Sequence, residues 1–163
     1  MNISRTKVLC ISALTFIFSA TSLYASDMAA LSGELTTLYR SARKVISDNQ
    51  AHVNNADIGD KGLSGDAVVM KALENYKNAT GKAVTEASLN DADKTMLNAV
   101  RAVMDDNQDL INEQGVGFKG FLPAIFARQV ATKFGQLMNG KMNIKLTAPK
   151  NYVRNRANRP DKW

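Results

Sequence analysis

Few residues in this 163-residue chain have the type and spacing to do chemistry. His52 is the single histidine. One imidazole is a candidate metal or haem ligand, but no carboxylate or second histidine stands at ligand spacing, so a solvated or hydrogen-bonded role weighs more. Asp105, Asp106 and Asp109 crowd together without the spacing of a calcium loop, and read better as a solvated helical face. Gly115, Gly117 and Gly120 have the G-x-G-x-x-G spacing of a dinucleotide loop, yet they follow a helical pattern. The strand that would make them a phosphate cradle is missing. No nucleophile elbow or Walker loop occurs. Arg154, Asn155, Arg156, Asn158 and Arg159 form a polar cluster whose guanidinium groups could fork onto an acid or tie down a surface turn. We expect no catalytic residue and no metal site.

The stretch Gly115–Gly135 organises the rest. Its three glycines permit backbone conformations and close approaches that side chains forbid. Phe118 and Phe121 sit among and after them, and Pro123 suits the first turn of a helix. Leu122, Ile125, Phe126, Val130, Phe134 and Leu137 then keep to one helical face. A glycine-hinged loop carrying two phenylalanines therefore feeds a core helix, as a pocket wall or as a packing corner.

Stepping out along the chain, Leu31, Leu35, Leu38, Ala42, Val45 and Ile46 form one apolar stripe, which predicts a helix from Asp27 to about Val53. Ser64 opens a second helix and Gly81 closes it. Asn90 caps a third, with Asp91 and Asp93 where negative charge suits the dipole; it runs to Glu113, with an interruption at Asp105–Asn107. The fourth follows Pro123 and ends at Asn139–Gly140. Met142, Ile144 and Leu146 alternate with Asn143, Lys145 and Thr147, the pattern of a half-buried strand. No internal repeat stands out.

Arg5 and Lys7, an apolar run from Val8 to Phe18 and a small-residue exit at Ala25 describe a secretory leader, so residues 1–25 are expected to be removed and 26–163 to form one domain. The run is short for a membrane span, which needs ~20 residues. Removal also takes away Cys10, the only cysteine, leaving no disulfide and no C-x-x-C-H haem anchor. The formal charge of +6 drops to +4 without Arg5 and Lys7. Without aromatic interleaving, that basic excess does not indicate nucleic acid.

Three segments, GDKGLSG at Gly59–Gly65, INEQGVGFKGFLPAIFARQVATKF at Ile111–Phe134 and RNRANRPDKW at Arg154–Trp163, resemble the periplasmic haem-c-type sensor family of PAS-like fold, which also supplies the sensing part of histidine kinases. The resemblance implies an α+β, PAS-like domain: about four helices with a short C-terminal strand in this segment. It also implies haem as the ligand, with the family's C-x-x-C-H lying beyond the tryptophan at which this chain stops. Either the domain is truncated at Trp163 or this member dispenses with covalent haem. The family's other axial ligand, a cysteine, has no counterpart; Ser47 and His52 lie in its region. Phe118, Phe121 and His52 are the implied cofactor-binding candidates. Gly115, Gly117, Gly120, Pro123, Arg154, Asn155 and Asn158 are the motif residues. The expectation is a periplasmic, non-catalytic sensory or ligand-binding protein, taking haem or another small molecule and signalling through a protein partner. The alternative is a structural or interaction protein with no small ligand.

Overall fold

The computed structural model describes residues 5–149, 151–153 and 156–160, the side chains of residues 5–25 and Ala157 aside. The chain divides into two units, Met1–Glu34 and Leu35–Trp163. The helices are α1 (Arg5–Asp48), α2 (Gln50–Val53), α3 (Gly65–Thr80), α4 (Asp91–Asp106), α5 (Gln108–Asn112) and α6 (Pro123–Leu137), with short 3-10 turns at Glu86–Ser88 and Arg156–Asn158. In the first unit only α1 is formed. It begins at Arg5 rather than at the expected Asp27, and Leu31 is its half-buried residue. No described helix is long and apolar enough to cross a membrane. The side chains of the expected leader lie outside the described residues, as does Trp163.

The second unit is built by local signals that behave as the chain predicts. The Ser64 hydroxyl accepts from the Ala67 N–H and the Asn90 side chain from the Asp93 N–H, each satisfying an open donor of a first turn. Pro123 starts α6, and Gly81 ends α3 in the left-handed region at φ 73°. The inward stripes of α1, α3, α4 and α6 meet in one core that includes Leu38, Ile46, Val68, Met96, Phe126 and Phe134. Each such side chain is worth about 1.5–3 kcal/mol when withdrawn from water. Gly65 lets α3 and α4 touch: a Cβ there would lie 2.8 Å from Cα of Arg101.

The expected PAS-like α+β fold does not form. The described residues contain helices and turns and no strand. Met142, Ile144 and Leu146 are half-buried against the core while Asn143, Lys145 and Thr147 are exposed, so the two-residue alternation is real. It reports an extended segment with two faces. A ladder also needs a second extended segment to take its main-chain groups, and none lies alongside among the described residues.

The chain also contains an internal repeat, contrary to expectation. Residues 35–81 match residues 93–139 in register. Asp48-Asn49-Gln50 matches Asp106-Asn107-Gln108, Asn54 matches Asn112, and the G-x-K-G at Gly59–Gly62 matches that at Gly117–Gly120. Both copies break the first helix at the same asparagine. Asn49 Nδ2 donates to the Val45 carbonyl at 2.8 Å, and Asn107 Nδ2 to the Val103 carbonyl at 2.7 Å. Each bond folds the asparagine side chain back onto the last turn of its helix, where a side chain that bonds the preceding backbone disfavours continuation. Two predicted long helices thus become α1 with α2 and α4 with α5.

Candidate functional site

The two G-x-K-G loops, which follow α2 and α5, are interlocked. The Lys61 N–H donates to Asn112 Oδ1 at 2.9 Å, and the Lys119 N–H to Asn54 Oδ1 at 3.2 Å. Gln50 Nε2 donates to the Phe121 carbonyl and Gln108 Nε2 to the Leu63 carbonyl, both at 3.1 Å. Each repeat supplies what the other lacks, the reciprocity of a two-fold interface within one chain.

The lysine side chains are buried, Lys61 at 4% exposure and Lys119 at 5%. A desolvated ammonium must be paired or hydrogen-bonded, and here main-chain oxygens do it. Lys61 Nζ donates to the Asn55 carbonyl at 2.7 Å and to the Ile58 carbonyl. Lys119 Nζ donates to the Val116 carbonyl at 2.6 Å and to the Glu113 carbonyl. Each lysine thus gathers the carbonyls three and six residues before it, and a glycine in the left-handed region follows: Gly62 at φ 59° and Gly120 at φ 69°. Burial, then the neighbouring Lys119 ammonium, push the Lys61 ammonium below its ordinary value; Asp57 pulls the other way. Both amines are committed to holding loops.

The expected site residues separate in this frame. Phe121 is 1% exposed and packs edge-on against Phe126 at 6.0 Å between ring centres. Phe118 is 71% exposed, so the glycine elbow seats one phenylalanine, not two. Phe118 follows Gly117 at the outer surface of a clamped loop, and nothing in a glycine-rich stretch fixes which ring turns inward. The Gly115 N–H donates to the Ala56 carbonyl at 2.8 Å, and Gly117 lies against the Asn54 carbonyl. His52 Nε2 bonds the Lys61 carbonyl at 3.0 Å, donating as the Nε2–H tautomer. The three expected cofactor-binding residues thus differ in setting: Phe121 is core, Phe118 is exposed, and His52 is engaged with the Lys61 carbonyl. Among the described residues no three metal-ligating side chains come together. Arg154 and Asn155 lie outside the described residues.

Asn158 does reach a cavity. A cleft of about 480 Å³ runs between α6 and the extended segment, lined by Arg128, Ala131, Thr132, Asn143–Leu146 and Asn158. Its floor is the half-buried set Ala131, Ile144 and Leu146, and its rim is polar and cationic. An apolar base with a few convergent polar groups is the usual build of a small-molecule site. Arg128 and Thr132 were not among the expected site residues. The signal for them was present: they stand four apart on the outer face of α6, away from the apolar stripe. Comparison with family models, with curated proteins and with solved structures found no match.

Proposed function

We propose that this protein is an exported, non-catalytic module that binds a small amphipathic anion and passes that binding on as a signal. The observation that carries the reading is a cleft lined by both Asn158 and Arg128 together with the apolar Ala131, Ile144 and Leu146. Such a cleft selects a ligand with an apolar body and an acidic end: Ala131, Ile144 and Leu146 take the body and Arg128 the charge. Export rests on the leader-like residues 1–25. A ligand bridging α6 and the extended segment would hold two parts that main-chain bonds leave unjoined, and a bound-state preference of that kind is the physical content of sensing.

The test is a thermal-shift and calorimetric screen of short fatty acids and aromatic acids, with Arg128→Glu as control, beside fractionation of cells carrying the full reading frame. Saturable binding lost in Arg128→Glu, with the protein in the periplasm, supports the reading. Equal binding in the variant, or retention in the cytoplasm, overturns it. The alternative, an interaction protein with no small ligand, has exposed Phe118 in its favour. It predicts that Phe118→Ala loses a protein partner while the acid screen stays silent.

A further inference from the structure

The repeat sets two arginines at matching positions, and only one has been given partners. Arg101 on α4 is fully engaged. Its Nε–H donates to Asp66 Oδ1 at 2.6 Å, and its terminal nitrogens fork onto Glu86 Oε1 and Oε2 at 2.7 and 2.6 Å. Asn98 Oδ1 accepts a further bond at 3.3 Å. In the first copy the matching arginine is Arg43 on α1. The positions matching Asp66 and Asn98 are Ala124 and Arg40, and just past the matched stretch the same offset sets Ile144 against Glu86. Both carboxylates are gone and the helper amide has become a second cation.

Arg43 shows the consequence. Its Nε is buried and has no hydrogen-bond partner. A buried guanidinium donor left open is costly, and a neighbouring guanidinium three residues earlier on the same helix adds like-charge repulsion. Both arginines line a cavity of about 490 Å³ between α1 and α3, together with Lys44, Asp48, Ser41, Ser47 and Asn75 among others. The one acid there is already taken, since Lys44 Nζ holds Asp48 at 2.8 Å. The Asn75 amide is also in use, donating to the Ser41 carbonyl.

We infer that Arg43 and Arg40 form a second binding site, separate from the α6 cleft, for the carboxylate of a small organic acid. The class of ligand follows from the repeat: what a guanidinium at this position takes in the other copy is carboxylate, in the bidentate fork that its geometry matches. A dicarboxylate has one acid group for each of the two arginines.

Calorimetry at low salt with succinate, acetate and inorganic phosphate tests this on the full chain. Succinate is expected to bind more tightly than acetate. Measured in the Arg128→Glu background, which removes the acid-binding group of the α6 cleft, Arg43→Met should weaken succinate at least about tenfold, a loss of ~1.4 kcal/mol. Arg40→Met removes the second cation of the cavity from an exposed position, so it should lower succinate affinity while leaving the unfolding midpoint in place. This second variant guards against Arg43→Met simply unfolding. No heat with either carboxylate at millimolar concentration, equal binding by a folded Arg43→Met, or binding of phosphate alone overturns the inference. Loss of succinate binding in Arg128→Glu would assign the acid to the α6 cleft and overturn the separate site.

Discussion

Lys61 and Lys119 occupy the same place in two loops that hold each other closed: the main-chain N–H of each is received by an asparagine of the other repeat, Asn112 and Asn54. Removing either asparagine strands a lysine N–H in a dry interior. Asn54→Ala and Asn112→Ala should each cost about 1–3 kcal/mol, and by similar amounts because the sites match. Urea unfolding of both singles and the double measures this. The pair belongs to one network, so the double should cost less or more than the sum rather than equal it.

The two phenylalanines of the glycine loop should separate sharply. Phe121→Ala empties a core position and should cost about 3–5 kcal/mol. Phe118→Ala, at the surface, should stay within about 0.5 kcal/mol of the parent. Equilibrium denaturation of the two variants decides it.

Tyr39 on α1 donates its hydroxyl to the Ala127 carbonyl of α6 at 2.8 Å. Burial, opposed by the Arg43 charge, pushes its pKa from 10.0 up to about 12. The unfolded chain therefore gives up this proton first, and stability should fall as pH rises from 10 toward 12. Lys61 acts with the opposite sign. Its folded value lies below the ordinary 10.5, so the unfolded chain holds that proton longer and stability gains as pH climbs to 10.5. Thermal melts of the parent, Tyr39→Phe and Lys61→Met against pH separate the two. Tyr39→Phe should lose the downward limb and Lys61→Met the upward one.

The Arg101 clamp should give the chain an acid-sensitive seam. Its guanidinium holds the Glu86 carboxyl below the ordinary 4.5, against the opposing effect of burial. Stability from this pair is present above pH 4.5 and is lost as pH falls through the lowered value. Both groups are partly exposed, so the contribution is screened by salt. Arg101→Met should flatten the acid limb of the stability curve, and 0.5 M salt should mimic part of that change.

Gly65→Ala places a methyl group 2.8 Å from Cα of Arg101 and 2.9 Å from its carbonyl oxygen. Backbone cannot step aside as a flexible side chain would. The substitution should cost about 1–3 kcal/mol and should also loosen the Asp66–Arg101 bond. A drop in thermal midpoint, with a weakened acid limb, reads both effects.

Four helix ends were plain in the chain, while the start of α1 and the breaks at Asn49 and Asn107 were not. Ser64, Gly81, Asn90 and Pro123 each carry a local reason to start or stop a helix, and each does so. Alternation at Met142–Thr147 correctly told which residues turn inward, but strand pairing depends on a neighbour that no local pattern reveals. The repeat was hidden because its core positions trade one apolar residue for another, as Leu63 for Phe121 and Tyr76 for Phe134. What persists is mostly polar: the Arg43–Arg101 pair, the D-N-Q triplet, a lone asparagine and G-x-K-G. The last three look like ordinary loop composition until their hydrogen bonds are seen crossing from one copy to the other. The lysines were equally illegible, since a lysine is read as solvated unless carbonyls are known to surround it. Of the candidate site, Asn158 was named from the chain, whereas Arg128 showed there only its place on the outer face of α6, beside Thr132 one turn on.

The reciprocal bonds also set an order of assembly. Gln50 needs the carbonyl of Phe121, and Leu63 needs Gln108, so the earlier loop lacks these bonds until the later half of the chain exists. On a nascent chain leaving the ribosome those cross-copy bonds must wait for α5 and the second loop, and closure across so long a separation is slow. The delay leaves a time window in which the emerging polypeptide is still loose enough to be threaded or handed to a chaperone.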